Sequence, residues 1–406
     1  MAQPPEWVTS VSVNLLDFAA VDFDLSGDQE ALRDAAATFL DRYADHDARR
    51  ARVGEGVIVG TLAGAGAEAD SAGAGDAPSG FDRAVWSGMA EQGWLALELP
   101  EDEGGLGMGM VEVAVLCEQI GRRLVAAPFI STILTIGALS HPEARQHGAT
   151  DKWREILSAG DAVGCVAFVP NADALTITAA GDGINLTGSA GPTVYAPSAD
   201  VAIVLTPTDV FAVDLADTGR PEPLSAMDRT RELGLLKFES TPAIRIGGTE
   251  AAALLLDRCA TAISAEMLGA ADEVLAMTVA YTKDRVQFGK PIGSFQAIKH
   301  MLADVLVDVE GMRSTAYYSA WCAANDDSER SLAASMAKSW CSDASRRVMG
   351  AGLQAHGGIG FTWEHDMHLY VKRAQLDQVS FGDAGFHRDR IANILRDRLT
   401  SGHSIN

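Results

Sequence analysis

The sequence predicts an α+β protein in which a helical N-terminal part, a small antiparallel β domain and a C-terminal helical part follow one another along 406 residues. Two observations lead to this order. Apolar residues recur at helical spacing toward both ends of the chain, whereas the middle carries short apolar runs bounded by Gly, Pro, Asn and Asp. We expect the three domains to cover residues 1–160, 161–247 and 248–406.

The N-terminal part begins with a helix whose start is marked by Ser26 and Gln29, an N-cap residue and its capping-box partner. Helical patterns return over residues 81–93 and 111–120. Between them and the first helix, residues 53–80 are rich in Gly, Ala and Ser and poor in long apolar side chains. Such a segment buries too little surface to offset its ordering entropy, so we interpret it as a flexible insertion.

The middle part reads as a series of short strands. Apolar or alternating runs with turn residues on either side cover residues 164–169, 174–178, 183–187 and 201–206. Strands of this length and spacing predict a small antiparallel barrel or sandwich of roughly 85 residues. Beyond Gly248 the helical period returns and persists to the end, for example in the apolar stripe of Ile298, Leu302, Val305, Val309 and Met312.

A distinctive loop at residues 285–296 lies between two long amphipathic patterns of the C-terminal part. Arg285 offers a planar fork of donors that suits a pyrophosphate. Gly289 and Gly293 allow a ligand to approach the backbone closely, and Gln296 supplies both a donor and an acceptor. The loop is consistent with an anion-binding site, although an ordinary turn between helices would also explain it.

A second glycine-rich segment, residues 354–362, follows a helical pattern over residues 333–353. Its three glycines, Gly357, Gly358 and Gly360, remove side chains where a ligand could lie against the backbone. A helix C-cap and turn would account for glycine at this place as well.

Taken together and in this order, the two segments resemble the R-x-x-F-G-x-x-I-x-x-F-Q and Q-x-x-G-G-x-G motifs of the acyl-CoA dehydrogenase family. The resemblance implies that family's fold for essentially the whole chain, with an N-terminal helical domain, a middle antiparallel β-barrel or sandwich and a C-terminal four-helix bundle. It also implies FAD as cofactor. In the family the first motif binds the pyrophosphate and adenine side of FAD, and the second reaches across a subunit interface to the AMP half. The matching residues here are Arg285, Gln287, Phe288, Phe295, Gln296, Gln354, Gly357 and Gly358.

The catalytic end departs from the family. Members remove an α-proton from an acyl thioester with a glutamate, most often in an E-G-T loop before the last helix. Alignment from Gln354 places Phe381 at the glutamate, with Asp383 in place of the threonine, and the alternative position on an earlier helix falls near Cys259. Phenylalanine cannot accept a proton, so the catalytic base is unknown and Asp383 is a weak candidate. The hydroxyl-rich flavin cradle of the β domain is also reduced, to residues 169–172 and 193–195.

Residues 358–370 and 381–384 look like one branch of the family, in which dehydrogenases of sterol-like side chains are heteromers of two related chains. One chain carries the glutamate and the other contributes to FAD binding across the interface. The resemblance therefore implies an acyl-CoA substrate, a homologous partner chain or self-association, and an electron acceptor such as an electron-transfer flavoprotein. Two other readings stay open: a self-sufficient dehydrogenase with an atypical base, and a non-redox acyl-CoA-binding or structural member.

Composition limits the partners and the compartment. A net charge of −23 argues against nucleic acid and anionic membrane surfaces. Five cysteines without a C-x-x-C pair favour a reducing compartment, and we expect a cytoplasmic protein without a membrane span. Glu364, His365 and His368 are better explained as a polar surface cluster than as a metal site. Asp383 and His387, one helical turn apart, are more consistent with a helix start than with an acid/base pair.

Overall fold

The computed structural model describes residues 25–43, 80–180 and 183–401. The predicted insertion at residues 53–80 lies outside the described residues except for Gly80. The predicted start of the first helix is confirmed, because Ser26 Oγ accepts from Gln29 N at 3.2 Å and Gln29 Oε1 accepts from Ser26 N at 2.9 Å. The N-terminal helices are α1 Gly27–Asp41, α2 Arg83–Glu91, α3 Met110–Arg123, α4 Phe129–Leu139 and α5 Gly148–Ser158.

A six-stranded sheet forms the middle of the described chain, in the spatial order β1-β4-β5-β6-β3-β2. The strands are β1 Gly164–Phe168, β2 Leu175–Ala180, β3 Gly183–Val194, β4 Val201–Leu205, β5 Val210–Asp214 and β6 Leu233–Gly247, with a one-turn helix α6 at Leu215–Thr218. The long strand β6 pairs first with β3 and then with β5, which curls the sheet. The expectation of an entirely antiparallel sheet was wrong in one place: β1 and β4 run parallel. After β1 the chain forms the β2–β3 hairpin and then returns to pair with β1 as strand β4.

The C-terminal part is a bundle of helices with a small hairpin between the first two. The elements are α7 Thr249–Asp284, β7 Val286–Gln287, β8 Lys290–Pro291, α8 Gln296–Ala324, α9 Arg330–His356, α10 Met367–Val379 and α11 Ala384–Thr400. Helix α7 is largely buried, because it packs against α8 and α9 on one side and against α3 on the other. No helix of the described residues is long and apolar enough to cross a membrane.

Helices α3 and α7 cross in direct backbone contact, which fixes the N-terminal helices against the bundle. A Cβ on Gly121 would lie 2.0 Å from the Glu266 carbonyl oxygen, and a Cβ on Gly269 would lie 1.9 Å from that of Glu118. Only glycine allows so close an approach. Residues of α3 and α4 line a cavity together with residues of the sheet.

Candidate active site and cofactor-binding surface

A cavity of about 580 Å³ lies between the sheet, the N-terminal helices α3 and α4, and the bundle helices α7, α10 and α11. Its walls are mainly apolar and aromatic, as in most pockets for small organic ligands. The apolar side chains include Ile120, Ile130, Leu134, Val166, Phe168, Ile263, Leu376, Phe381 and Phe386. The cavity can therefore hold a bulky apolar group.

Phe381 lies in this cavity wall, in the turn between α10 and α11. Its φ of 56° is in the left-handed region, and its ring lies 6.4 Å from the ring of Phe168. Phe168 also meets Phe386 edge to face at 5.6 Å. The position that the alignment assigned to a glutamate is thus part of an aromatic wall.

Asp383 is the one carboxylate that lines the cavity within the described part of the chain. Its Oδ1 accepts from Phe386 N at 2.8 Å, so the side chain acts as the N-cap of α11. The suggested pairing with His387 does not form through the carboxylate, because His387 Nε2 contacts the Phe381 carbonyl oxygen at 3.0 Å. Cys259, the other position considered for a base, is wholly buried and does not line the cavity.

A buried ionic cluster lies beside the cavity and joins three separate segments of the chain. Arg231, which lines the cavity, donates to Asp377 Oδ1 at 2.7 Å and also to Glu266. Arg373 donates to Glu266 Oε1 at 2.8 Å and to Asp228 Oδ2 at 2.9 Å. We call these five residues the ionic cluster.

The ionic cluster was not predicted from the sequence. Glu266 and Asp377 each keep one buried carboxylate oxygen without a hydrogen-bond partner. Burial, together with the nearby Glu266, raises the pKa of Asp377 to about 7 against the opposing effect of the two arginines. Because Glu266 is wholly buried, ion-paired to two arginines and absent from the cavity wall, it is poorly placed to act as a base there.

The sheet contributes Thr193 and Tyr195 to the cavity, where the sequence predicted a reduced flavin cradle. Thr193 Oγ1 donates to the carbonyl oxygen of Gly191 at 3.0 Å, so its hydroxyl hydrogen is already used. Tyr195 has a left-handed backbone with φ of 60°, and its buried hydroxyl has no hydrogen-bond partner in the described structure. Burial raises the pKa of Tyr195 to about 12.

The first sequence motif forms the exposed hairpin β7–β8 at the end of α7. Phe288 and Gly289 occupy its two-residue turn with φ of 53° and 77°, and the Phe288 side chain is 92% exposed. Arg285 is exposed and makes no ion pair with any described residue, and Gln287 and Gln296 are exposed as well.

Two residues of the first motif, Phe295 and Gly293, contact other parts of this chain. The Phe295 ring is half-buried, and the Lys290 ammonium lies over it in a cation–π contact, 4.4 Å from the ring centroid. A Cβ on Gly293 would lie 2.9 Å from the Thr282 carbonyl oxygen, so its close backbone approach is to α7.

The second motif caps the end of α9. Gln354, Gly357 and Gly358 are exposed, and a Cβ on either glycine would meet no atom within 4 Å. Gly357 has φ of 62° and ψ of −140°, a conformation that L side chains rarely adopt. The surface around Gly357 and Gly358 is therefore open.

The fold brings the two motifs side by side, although about 70 residues of chain separate them. Tyr281, one turn before Arg285, stacks on His356, one residue before Gly357, with ring centroids 4.6 Å apart. The Tyr281 hydroxyl also donates to the His356 carbonyl oxygen at 3.4 Å. Both motifs thus project from the same end of the bundle.

The polar residues of the 362–368 turn serve local structure. His365 Nδ1 accepts from Met367 N at 3.1 Å, and the His368 ring meets Trp363 at 4.7 Å. Within the described ranges no group of three or more His, Cys, Asp or Glu is placed to hold a metal ion.

Comparison with known proteins identifies the family. Residues 65–148 match the family description "Acyl-CoA dehydrogenase, N-terminal domain", and residues 247–395 match "Acyl-CoA dehydrogenase, C-terminal domain". The chain is 34% identical over 351 residues to acyl-CoA dehydrogenase IpdE2 of Mycolicibacterium smegmatis, which covers 86% of this chain and 93% of that protein.

Solved structures agree with the sequence relatives. A chain of the ChsE4–ChsE5 complex from Mycobacterium tuberculosis has a TM-score of 0.80 and 26% identity, covering 93% of this chain and 99% of that one. A single-residue variant of the Tcur3481–Tcur3483 steroid ACAD also has a TM-score of 0.80 and 26% identity, covering 92% of this chain and 99% of that chain. The fold predicted from the sequence is confirmed. The chain therefore belongs to the acyl-CoA dehydrogenase family, whose members are FAD-dependent flavoproteins.

Proposed function

We propose that this chain is the subunit of a heteromeric acyl-CoA dehydrogenase that helps to bind FAD but supplies no catalytic glutamate. The reaction is the α,β-desaturation of an acyl-CoA thioester. The observation that carries the proposal is Phe381, which lines the cavity at the position that aligns with the family's glutamate.

The proposed reaction needs a base at the α-carbon of the thioester. The α-hydrogen leaves as a proton to a carboxylate, the β-hydrogen leaves with its electron pair, and a double bond forms between the two carbons. FAD, when bound, supplies the acceptor for that hydride. In the described part of this chain the carboxylate that lines the cavity is Asp383, and it accepts a hydrogen bond as the N-cap of α11. We infer that the proton acceptor belongs to a homologous partner chain.

The exposed surface at the end of the bundle fits the nucleotide end of FAD. Arg285 makes no ion pair with the residues that the structure describes, so its guanidinium is available to a phosphate. Gly357 and Gly358 present open backbone beside it, and Gln287, Gln296 and Gln354 offer amide donors and acceptors. Phe288, almost fully exposed, adds an apolar face. Because all of these groups point away from the body of the chain, they support binding to a FAD shared with a neighbouring chain.

Two features support a bulky, ring-containing acyl group. The cavity has about 580 Å³ and an aromatic wall made by Phe168, Phe381 and Phe386. The solved relatives include one described as a steroid enzyme and one that is a complex of two named chains. We propose acyl-CoA thioesters of sterol-like structures as the substrate class and an electron-transfer flavoprotein as the electron acceptor.

One observation favours a second candidate, a self-sufficient dehydrogenase. Asp383 does line the cavity, and its N-cap hydrogen bond to Phe386 N engages only Oδ1. The two candidates differ in whether the active enzyme contains a second, homologous chain. We expect a tagged chain, purified from its own cells, to carry a homologous acyl-CoA dehydrogenase chain in equal amount, with bound flavin. A flavin-loaded particle that contains only this chain would favour the self-sufficient enzyme, and a colourless one would favour a non-redox role.

A further inference from the structure

The turn between α10 and α11, residues 380–383, forms one wall of the cavity and has an unusual backbone. Phe381 and Gly382 follow one another in the left-handed region, with φ of 56° and 97°. A bulky residue such as phenylalanine rarely adopts this conformation unless its surroundings hold it there. The contacts that hold the turn therefore determine where the Phe381 ring lies.

Lys338 of α9 contacts this turn without lining the cavity. Its ammonium is wholly buried and donates to the carbonyl oxygens of Gln378 at 3.0 Å and Gly382 at 2.9 Å. Its third contact is Ser342 Oγ at 3.2 Å, on its own helix. Lys338 does not line the cavity, and no described carboxylate lies within 4.0 Å of it. A methionine would fill the same space without burying a charge, so the particular contribution of the lysine is its bonds to the turn.

His387 of α11 contacts the carbonyl group of Phe381 itself. The ring is wholly buried, and Nε2 lies 3.0 Å from the Phe381 carbonyl oxygen. Because a carbonyl oxygen only accepts, this contact assigns the ring proton to Nε2. Lys338 and His387 together bind three carbonyl groups within five residues, on both sides of the Phe381 side chain.

We propose that Lys338 and His387 are positioning residues that fix the Phe381 ring, and with it the shape of the cavity, through these three carbonyl groups. The consequence for an acyl group rests on the proposed function, whereas the geometry of the turn does not. Neither residue is expected to touch a substrate.

Titration distinguishes the two residues. Burial lowers the pKa of Lys338 to about 8, and burial together with Lys338 lowers the pKa of His387 to about 3. Above pH 8 the neutral amine keeps two N–H donors for the two carbonyl oxygens and can accept from Ser342 Oγ, but its bonds to the carbonyls lose their charge assistance and weaken. His387 remains neutral throughout. The titratable or charged groups that act on the pair from the packed elements are Asp377, Cys341, Asp383 and Arg390.

Hydrogen exchange followed by mass spectrometry tests the proposal on the purified chain with its flavin, without a substrate. The reporter is a peptide covering residues 376–388, which contains the Ser380 and His387 amides that are bonded at the turn. We expect Lys338→Met to speed its exchange at least 10-fold. Ser342→Ala, which removes the one lysine contact outside the turn, should change it less than 2-fold. After correction for the intrinsic rate, exchange in the native chain should rise between pH 7 and 9, and in Lys338→Met it should not.

A second pair of variants covers the case in which Lys338→Met does not fold. His387→Gln keeps a donor for the Phe381 carbonyl oxygen and should preserve slow exchange, whereas His387→Leu should lose it. Unchanged exchange of this peptide in Lys338→Met, or equal exchange in the two His387 variants, would overturn the proposal. So would a native pH profile without the rise near pH 8. Because exchange needs neither a partner chain nor turnover, these outcomes are independent of the proposed function.

Discussion

Replacement of Arg231 by methionine should destabilise the chain, and more strongly at alkaline than at acidic pH. The guanidinium is buried, donates to Asp377 at 2.7 Å and also contacts Glu266. Methionine fills a similar volume but leaves both carboxylates without this partner. Breaking one partner out of a buried ion pair costs about 3–5 kcal/mol when the remaining charge stays ionised.

The pH dependence follows from Asp377. Burial raises the pKa of its carboxyl group from 3.8 to about 7 in the native chain. A carboxyl whose folded pKa is raised stabilises the protein when protonated, and this contribution is lost as pH rises from 3.8 through the folded pKa. Removal of Arg231 takes away a group that lowers this pKa, so the loss extends above pH 7. Each unit of further shift adds up to about 1.4 kcal/mol to the destabilisation at high pH.

The free energy of unfolding, from urea titrations of the FAD-free chain at pH 6 and pH 8.5, measures this difference. We expect Arg231→Met to lose at least about 1 kcal/mol more at pH 8.5 than at pH 6. In the double variant with Asp377→Asn, which cannot ionise at residue 377, the extra loss should shrink. Equal losses at the two pH values, or a larger loss at pH 6, would refute the assignment of this titration to Asp377.

Three further predictions concern cofactor binding and helix packing. Arg285→Ala should weaken FAD binding roughly 10- to 100-fold, since a charge-assisted hydrogen bond contributes about 1.5–3 kcal/mol. The control Lys152→Ala, on the exposed face of α5, should leave FAD binding unchanged. Flavin-to-protein ratios after dialysis measure both variants, and equal ratios would contradict the assignment of Arg285 to the FAD site. Gly357→Val should lower flavin occupancy because valine does not tolerate φ of 62°. Gly350→Ala, within α9, should leave it unchanged because the added Cβ meets open space. Gly121→Ala should destabilise the chain by about 1–3 kcal/mol in the same urea titrations, because its Cβ would lie 2.0 Å from backbone of α7, and native-like stability would show that the two helices separate easily.

Local sequence signals predicted those parts of the structure that local chemistry determines. The capping box at Ser26 and Gln29 predicted the start of α1, and turn residues around residues 174–206 marked the starts of three strands within one position. The predicted end of β3 at residue 187 was wrong, because the strand continues to Val194. The strands at Val210–Asp214 and Leu233–Gly247 were not predicted. Strand β6 changes partners from β3 to β5 along its length, and this pairing is a property of the sheet rather than of the strand's own sequence.

The candidate site was predictable to the extent that its residues form contiguous motifs. Arg285 and Gly357 stand in short recognisable segments, but their proximity depends on Tyr281, which lies outside both motifs, and on His356, which fills a variable position of the second. The ionic cluster was not predictable, because Arg231 meets Glu266 and Asp377 across 35 and 146 positions of sequence. A charged residue on an apolar helix is the only local sign of such a cluster, and it does not name the partner.

The most direct test of the central claim is an anaerobic flavin-reduction assay on three samples: the purified chain loaded with FAD, the same chain with its homologous partner, and that complex with the partner's glutamate replaced by glutamine. Sterol-type and straight-chain acyl-CoA thioesters are added, and the flavin absorbance near 450 nm is followed. We predict that the flavin is reduced rapidly only in the complex with the unaltered partner. The reduction rates in the other two samples should be at least 10²-fold lower, since removal of a general base typically lowers the rate by that factor. Asp383→Asn in this chain should leave the rate of the complex unchanged. Rapid reduction of the flavin in the isolated chain would contradict the claim that it lacks a base.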